Sequence, residues 1–237
     1  MLGPADFFYC RDYAHAELLE QVEKVWELVA RIGPWLEEKA PPGRAIAGTV
    51  AEGAWLLGEG IHIGEGSVVE PGALIQGPAW LGRECRVLHG AYIRGNLVAG
   101  DRCVIGHASE VKNSLFLDDA HAPHFAYVGD SVLGNRVNLG AGTKLSNLVV
   151  SSVKDPRTGR RPTLRIGVGE ELHDTGLAKL GAIMGDDSQT GCNAVCNPGT
   201  LVGRRTLIYP NASVKGYIGP DRVVKLRQNQ QQGRRRV

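Results

Sequence analysis

Cut every six residues, the stretch from Ala45 to Ala122 reads AIAGTV AEGAWL LGEGIH IGEGSV VEPGAL IQGPAW LGRECR VLHGAY IRGNLV AGDRCV IGHASE VKNSLF LDDAHA. The first positions are Ala45, Ala51, Leu57, Ile63, Val69, Ile75, Leu81, Val87, Ile93, Ala99, Ile105, Val111 and Leu117, all apolar. Against a 43% hydrophobic background, such a run has odds on the order of 1 in 10⁵ before the choice of frame. The fifth position is mostly small, as at Thr49, Ser67, Ala73, Ala79, Cys85, Ala91, Cys103 and Ser109. Two inward positions in six predict three short strands per coil, with corners where Gly or Asn takes an otherwise strained backbone. Coils of about 18 residues then stack as parallel strands about 4.8 Å apart. Ile63, Leu81, Ala99 and Leu117 are expected to form one interior ladder, and Cys85 and Cys103 to stack as core thiols.

Outward from this stretch the period slips once, near Val128, and resumes at Leu133, Leu139 and Leu145. It breaks between about Val149 and Leu180, then returns at Met184, Thr190, Cys196, Val202, Ile208 and Val214. The interruption, KDPRTGRRPTLRIGVGEELHDTG, is basic and turn-rich. It reads either as a tolerated surface loop or as a flap whose Lys154, Arg157, Arg160, Arg161 and Arg165 meet phosphates. Before the repeats, Leu18, Val22, Val25, Val29 and Ile32 form one stripe of a helix from about His15 to Ile32. Gly33-Pro34 ends or kinks it, and Pro41-Pro42-Gly43 marks the entry to the repeats. The helix is expected to cap the first coil or to pack against its copies. The organisation expected is a helical cap over 1–44, repeats over 45–220 with an arm at 149–180, and a basic tail over 221–237. The tail's Arg234-Arg235-Arg236 reads as solvated chain.

Composition agrees with this picture. The 237 residues include 32 Gly and only 4 Phe. So much glycine argues against a helical protein, and the aliphatic content argues against disorder. A net charge of +2 gives no electrostatic footprint for nucleic acid. No apolar run approaches the roughly 20 residues of a membrane span, and Met1–Tyr13 has no signal-peptide core. Five cysteines without a CxxC pair fit reduced thiols and a cytoplasmic setting rather than a disulfide framework. Cys192 and Cys196 read as core thiols before metal ligands.

The chemistry concentrates in EVKNSLFLDDAHAPHFAYVGDSVLGNRVNLGAGTKLSN, Glu110 to Asn147. Arg94 and Lys112 stand 18 apart and share a hexad position, so they are expected on one face of adjacent coils. Two such close cations call for an anion between them. His124, after Pro123, breaks the apolar pattern. The segment resembles the acetyltransferase domain of the bifunctional glucosamine-1-phosphate acetyltransferase/N-acetylglucosamine-1-phosphate uridylyltransferases. It also resembles related sugar-1-phosphate nucleotidylyltransferase-like proteins, all within the hexapeptide-repeat transferase family. The resemblance covers roughly residues 45 to 220. It implies an all-β, left-handed parallel β-helix; the period alone leaves the hand open.

Carried over residue by residue, the resemblance implies that His124, of His-x-x-Tyr, is the general base and that Tyr127 touches a sugar phosphate. Lys112, of Glu-x-Lys, and Arg94 would bind that phosphate, with Glu110 orienting the imidazole. Asn138, of Asn-hydrophobic-Gly-Ala-Gly-Thr, and Asn147 would hold acceptor groups. Ala141 and Asn147 would meet acetyl-CoA, the cosubstrate, which in the family lies between neighbouring copies of a homotrimer. The implied activity is N-acetyl transfer to an amino-sugar phosphate with no metal required. Leu148 stands where the family has an aromatic residue. The nucleotidylyltransferase signatures are missing from the first 45 residues, so that step would fall to a separate protein. Two other readings stand beside this one. The first is a non-catalytic trimeric module binding a sugar phosphate or sugar nucleotide. The second is a metal enzyme like the β-helical carbonic anhydrases, using His89 and His107; Lys112, five residues on, occupies the place of its third ligand.

Overall fold

Each hexad supplies one short strand, and successive strands turn through three faces before the chain returns to the first. The computed structural model describes residues 2–9, 13–228 and 230–231; Cys10 and Arg234-Arg235-Arg236 lie outside them. Among the described residues the first face runs from Arg44–Ile46 to Tyr217–Ile218 and the second from Thr49–Val50 to Val223–Val224. The third face runs from Trp55–Leu57 to Ser213–Val214. Every pairing within these faces is parallel, as at Ile63↔Leu81, Val69↔Val87 and Ile75↔Ile93. The chain is therefore a three-sided parallel β-helix, and its last coil reaches Val224, beyond the expected end at 220. No helix among the described residues is long and apolar enough to cross a membrane.

The interior is the predicted one from Ile63 to Val111, and every first position in that span is buried. Cys85 and Cys103 are buried free thiols in the same core. At both ends of that span the six-residue frame departs from the structure. In the first coil the partners of Val69 and Ile75 are Val50 and Leu56, one residue before Ala51 and Leu57. After Val111 the interior residue is Phe116: Ala99 pairs with Phe116, and Phe116 with Leu133. Leu117 leaves the ladder and faces outward into a second apolar cluster. The cause lies at the corner between the third and first faces. The turn after Ile93 spends two left-handed residues, Gly95 (φ 87°) and Asn96 (φ 51°). The turns after Val111 and Val128 each spend one, Asn113 (φ 45°) and Asp130 (φ 47°). Between Val111 and Leu145 the period thus slips twice, at Asn113 and again at Asp130.

The amino-terminal segment does not cap the first coil. It comprises α1 (Pro4–Phe7), α2 (Ala16–Glu20) and α3 (Leu28–Lys39), with a 3₁₀ turn at Val25–Glu27 and Pro34 inside α3. These helices lie along the first face, burying Trp26, Leu28, Ile32 and Leu36 against Val98, Leu115, Leu117, Val132, Ile183 and Leu201. The middle residues of those strands are apolar on their outer side, which makes the first face a two-sided wall. The first coil leaves Ile46, Trp55 and Leu57 exposed, and within it the Arg44 guanidinium donates to Leu56 O (2.9 Å) and Gly58 O (3.3 Å). The inserted arm carries an antiparallel hairpin, Arg165–Val168 with Glu171–Asp174. It sets Leu164 and Ile166 into the same cluster as the helices.

Candidate functional site

The corner between the third and first faces stacks Arg94, Lys112, Asp130 and Asn147 on successive coils, and their side chains interlock. Arg94 Nη1 meets Glu110 Oε1 at 2.6 Å, which raises the guanidinium pKa above its ordinary value. Lys112 Nζ lies 3.5 Å from both Asp130 oxygens. Asn113 Nδ2 donates to Asp130 Oδ1 at 2.9 Å, and Asn147 Nδ2 to Asp130 Oδ2. Tyr127 Oη donates to Asn147 Oδ1 at 3.3 Å. Burial, then the negative charges of Glu110 and Asp130, push the Tyr127 phenol above its usual range. The phenol is therefore a neutral donor at physiological pH.

Local sequence explains the assembly. Asp and Asn tolerate left-handed backbone, so Asn96, Asn113 and Asp130 turn the corner while keeping a polar side chain there. Gly129 leaves room for two neighbours: a Cβ there would stand 2.7 Å from Tyr127 Oη and 2.8 Å from Asn147 Nδ2. The helices support the same corner, with Asn113 Nδ2 3.5 Å from Val29 O.

Arg94, Glu110, Lys112, Tyr127 and Asn147 are thus brought together, and Asp130 and Asn113 join them. The two cations do not stand unpaired, as their spacing alone suggested, because each has its own carboxylate. Glu110, expected at the imidazole, spends its carboxylate on Arg94. Asp130 was missed although it lies 18 residues after Lys112; that repeat of the Arg94–Lys112 interval was its signal.

His124, Ala141 and Asn138 lie elsewhere. His124 ends a strand of the second face, in register with His107. Its exposed ring makes no hydrogen bond among the described residues. Ala141 occupies the same corner one coil on, where Gly142 N donates to His124 O at 3.1 Å. Asn138 is exposed on the second face, in register with His121 and Gln189. His124 leads into the third face and the chain from it to Gly129 spans at most ~17 Å, so the imidazole and the cation corner flank the same face.

His89 and His107 stack below His124 with centroids 5.7 Å apart and planes 8° apart. Each Nδ1 is engaged by a main-chain carbonyl, Pro71 O at 2.7 Å and His89 O at 3.0 Å. No group of three or more His, Cys, Asp or Glu side chains among the described residues is arranged to hold a metal ion. Beyond Asn147, the arm and the next two coils enclose a cleft of about 290 Å³ lined by Ser152, Thr163, Arg165, Pro198 and Lys215. Of the arm's other basic residues, Arg161 bonds Ser152 O within the arm, while Lys154, Arg157 and Arg160 are exposed.

Fold and corner together define a hexapeptide-repeat β-helix carrying a charged and amide-lined edge column. Comparison with known proteins bears out the resemblance drawn from the motifs. The chain is 34% identical over 106 residues to a bifunctional sugar-1-phosphate nucleotidylyltransferase/acetyltransferase of Sulfurisphaera tokodaii, covering 45% of this chain and 24% of that protein. It is 32% identical over 105 residues to the bifunctional protein GlmU of Methanococcus maripaludis, covering 44% and 23%. The chain thus spans about a quarter of the length of these curated relatives. A solved hexapeptide transferase family protein from Anaplasma phagocytophilum aligns with 81% of this chain and 86% of that one, at 16% identity and a TM-score of 0.27. At that score the fold rests on the strand register above, not on the alignment. No protein-family model matches the chain.

Proposed function

We propose that the protein is an acetyl-CoA-dependent N-acetyltransferase acting on an amino-sugar phosphate of the glucosamine 1-phosphate kind. The observation that carries this reading is the gathering of Arg94, Lys112, Tyr127 and Asn147 at one corner, and the similarity to the bifunctional relatives supports it. Arg94 and Lys112 receive the phosphate, and the Tyr127 phenol donates to it. Asn147 holds the acceptor's hydroxyls and amine at this corner, and Asn138, exposed on the second face, lies outside it. His124 takes a proton from the amine as its nitrogen attacks the thioester carbonyl; the C–S bond breaks and the thiolate is protonated. The main-chain N–H of Ala141 itself faces the carbonyl oxygen as charge develops, since those of Gly140 and Gly142 are spent on Thr190 O and His124 O. Glu110 holds Arg94 rather than the imidazole. The reading includes a homotrimer with acetyl-CoA between copies, which would bring a second chain to the His124–Ala141 corner. It also includes a cytoplasmic setting and a separate nucleotidylyltransferase.

The test is thiol release from acetyl-CoA in the presence of glucosamine 1-phosphate. His124→Ala is expected to lower kcat by about 10²–10⁴-fold, the usual worth of a positioned general base. Absence of turnover in the unmodified protein, or full activity in the variant, sinks the proposal. One observation favours a second reading, a binding module without catalysis: the His124 ring has no hydrogen bond to orient it among the described residues. In that case glucosamine 1-phosphate binds, His124→Ala binds equally well, and no thiol is released.

A further inference from the structure

Asp130 is the most enclosed charged group of the corner, 5% exposed, and three side chains converge on it. Lys112 Nζ, Asn113 Nδ2 and Asn147 Nδ2 all point donors at its two oxygens. Only an acceptor-only group satisfies such an arrangement, and an ionised carboxylate is one. Its main chain is fixed as well: Asp130 N donates to Lys112 O at 2.9 Å, and Gly181 N donates to Asp130 O at 2.8 Å. The carboxylate is therefore immobile and ties coil to coil, Lys112 and Asn113 on one side and Asn147 on the other. Through Asn147 it also reaches the Tyr127 hydroxyl.

We infer that Asp130 is a positioning residue that presents the Lys112 ammonium and the Asn147 carboxamide to a phosphorylated ligand. This rests on the sugar-phosphate reading above, and it adds a residue which the motifs did not single out. Lys112 has a long, flexible stem, and Asn147 opens the inserted arm. Neither has another side-chain anchor among the described residues apart from Tyr127 on Asn147. Two effects of the carboxylate oppose each other. Its charge repels phosphate, so removing it improves binding if electrostatics alone decide. Its hydrogen bonds hold two ligand groups in place, so removing it weakens binding if positioning decides. The sign of the change separates the two.

Asp130→Asn is the variant of choice, because Asn accepts the same left-handed backbone. It replaces one acceptor oxygen by a donor facing donors. Titration of the full chain with glucosamine 1-phosphate, followed by calorimetry and by side-chain amide NMR, reads the result. The expected outcome is at least tenfold weaker binding in Asp130→Asn, a smaller loss from Lys112→Met in that background than in the unmodified chain, and an unchanged KM for acetyl-CoA. Thermal unfolding identifies the folded variant. In the unmodified chain the Asn147 carboxamide protons are expected to exchange several-fold more slowly than those of exposed Asn138, a readout that needs no variant. Equal exchange rates overturn the inference. So does binding as tight as, or tighter than, the unmodified protein's. Asp130-dependent binding without any acetyl transfer upholds Asp130 and refutes the acetyltransferase reading. A chain that binds no glucosamine 1-phosphate overturns both.

Discussion

Gly129→Ala adds one methyl group at the centre of the corner, and the structure says where it goes. The new Cβ would lie 2.7 Å from Tyr127 Oη and 2.8 Å from Asn147 Nδ2. Comfortable contact begins near 3.4 Å, so each atom must retreat by roughly 0.6 Å or more. Gly129 has no left-handed backbone to strain, and the obstructing atoms, Tyr127 Cζ at 3.0 Å among them, all belong to side chains and not to backbone. Stability therefore changes by no more than about 1 kcal/mol, with reduced freedom of the unfolded chain offsetting part of the crowding. The site fares worse. The 3.3 Å bond between Tyr127 Oη and Asn147 Oδ1 lengthens beyond hydrogen-bonding range, and Asn147 is driven off Asp130. Misplacement on this scale costs about tenfold or more in use of the phosphorylated acceptor. Steady-state kinetics are expected to show that rise in KM for glucosamine 1-phosphate, with that for acetyl-CoA unchanged. Tyr127→Phe removes one obstruction, so the double variant is expected to fall short of the summed losses. An unaltered acceptor KM in Gly129→Ala refutes the reasoning. So does a stability loss of several kcal/mol, which would mean that the clash falls on the fold and not on the site.

Three further outcomes follow from other parts of the molecule. Burial lowers the pKa of His15 to about 4, so the folded state resists the proton that the unfolded chain takes up below about 6.5. Stability is expected to fall by about 3 kcal/mol as pH drops from 6.5 to 4, a slope that urea titrations should find reduced in His15→Phe. Phe116→Ala should cost about 3–5 kcal/mol in thermal or urea unfolding, because Phe116 fills the solenoid interior at full burial. Native alkylation with mass spectrometry should label exposed Cys192 and spare Cys196, whose thiol burial pushes up to about 12.

The fold was legible because a solenoid writes its cross-section into the sequence once per coil. The slip at Asn113 was hidden by the run Leu115-Phe116-Leu117: with three apolar residues in a row, a frame one residue late still scores a hit. Only the register separates Phe116, inside, from Leu117, under the helices. The second core was hidden differently. Val98, Leu115, Val132, Ile183 and Leu201 are apolar at outward positions, and that departure from a polar exterior was the available sign that something covers the first face. The helical stripe was seen, but a stripe states only that a helix buries one side. What it buries that side against is decided by these five residues, far away in sequence.

The corner was half legible for a related reason. Spacing placed Arg94 and Lys112 together, but spacing carries no sign of which carboxylate answers which cation. Glu110 lies two residues before Lys112, on the same strand, yet it reaches back to Arg94 on the preceding coil. Lys112 reaches forward to Asp130 on the next. Cation and anion thus alternate up the edge, Arg94 with Glu110 and Lys112 with Asp130, and the four charges cancel. An incoming phosphate meets no standing excess of positive charge. It has to compete with Glu110 for a guanidinium that is about 40% exposed, where an ion pair contributes about 1 kcal/mol or less. The Lys112–Asp130 contact is far better enclosed. Phosphate binding at this corner should therefore proceed by loosening Glu110 from Arg94 while Asp130 keeps its grip, which makes Arg94 the adaptable contact and Lys112 the fixed one.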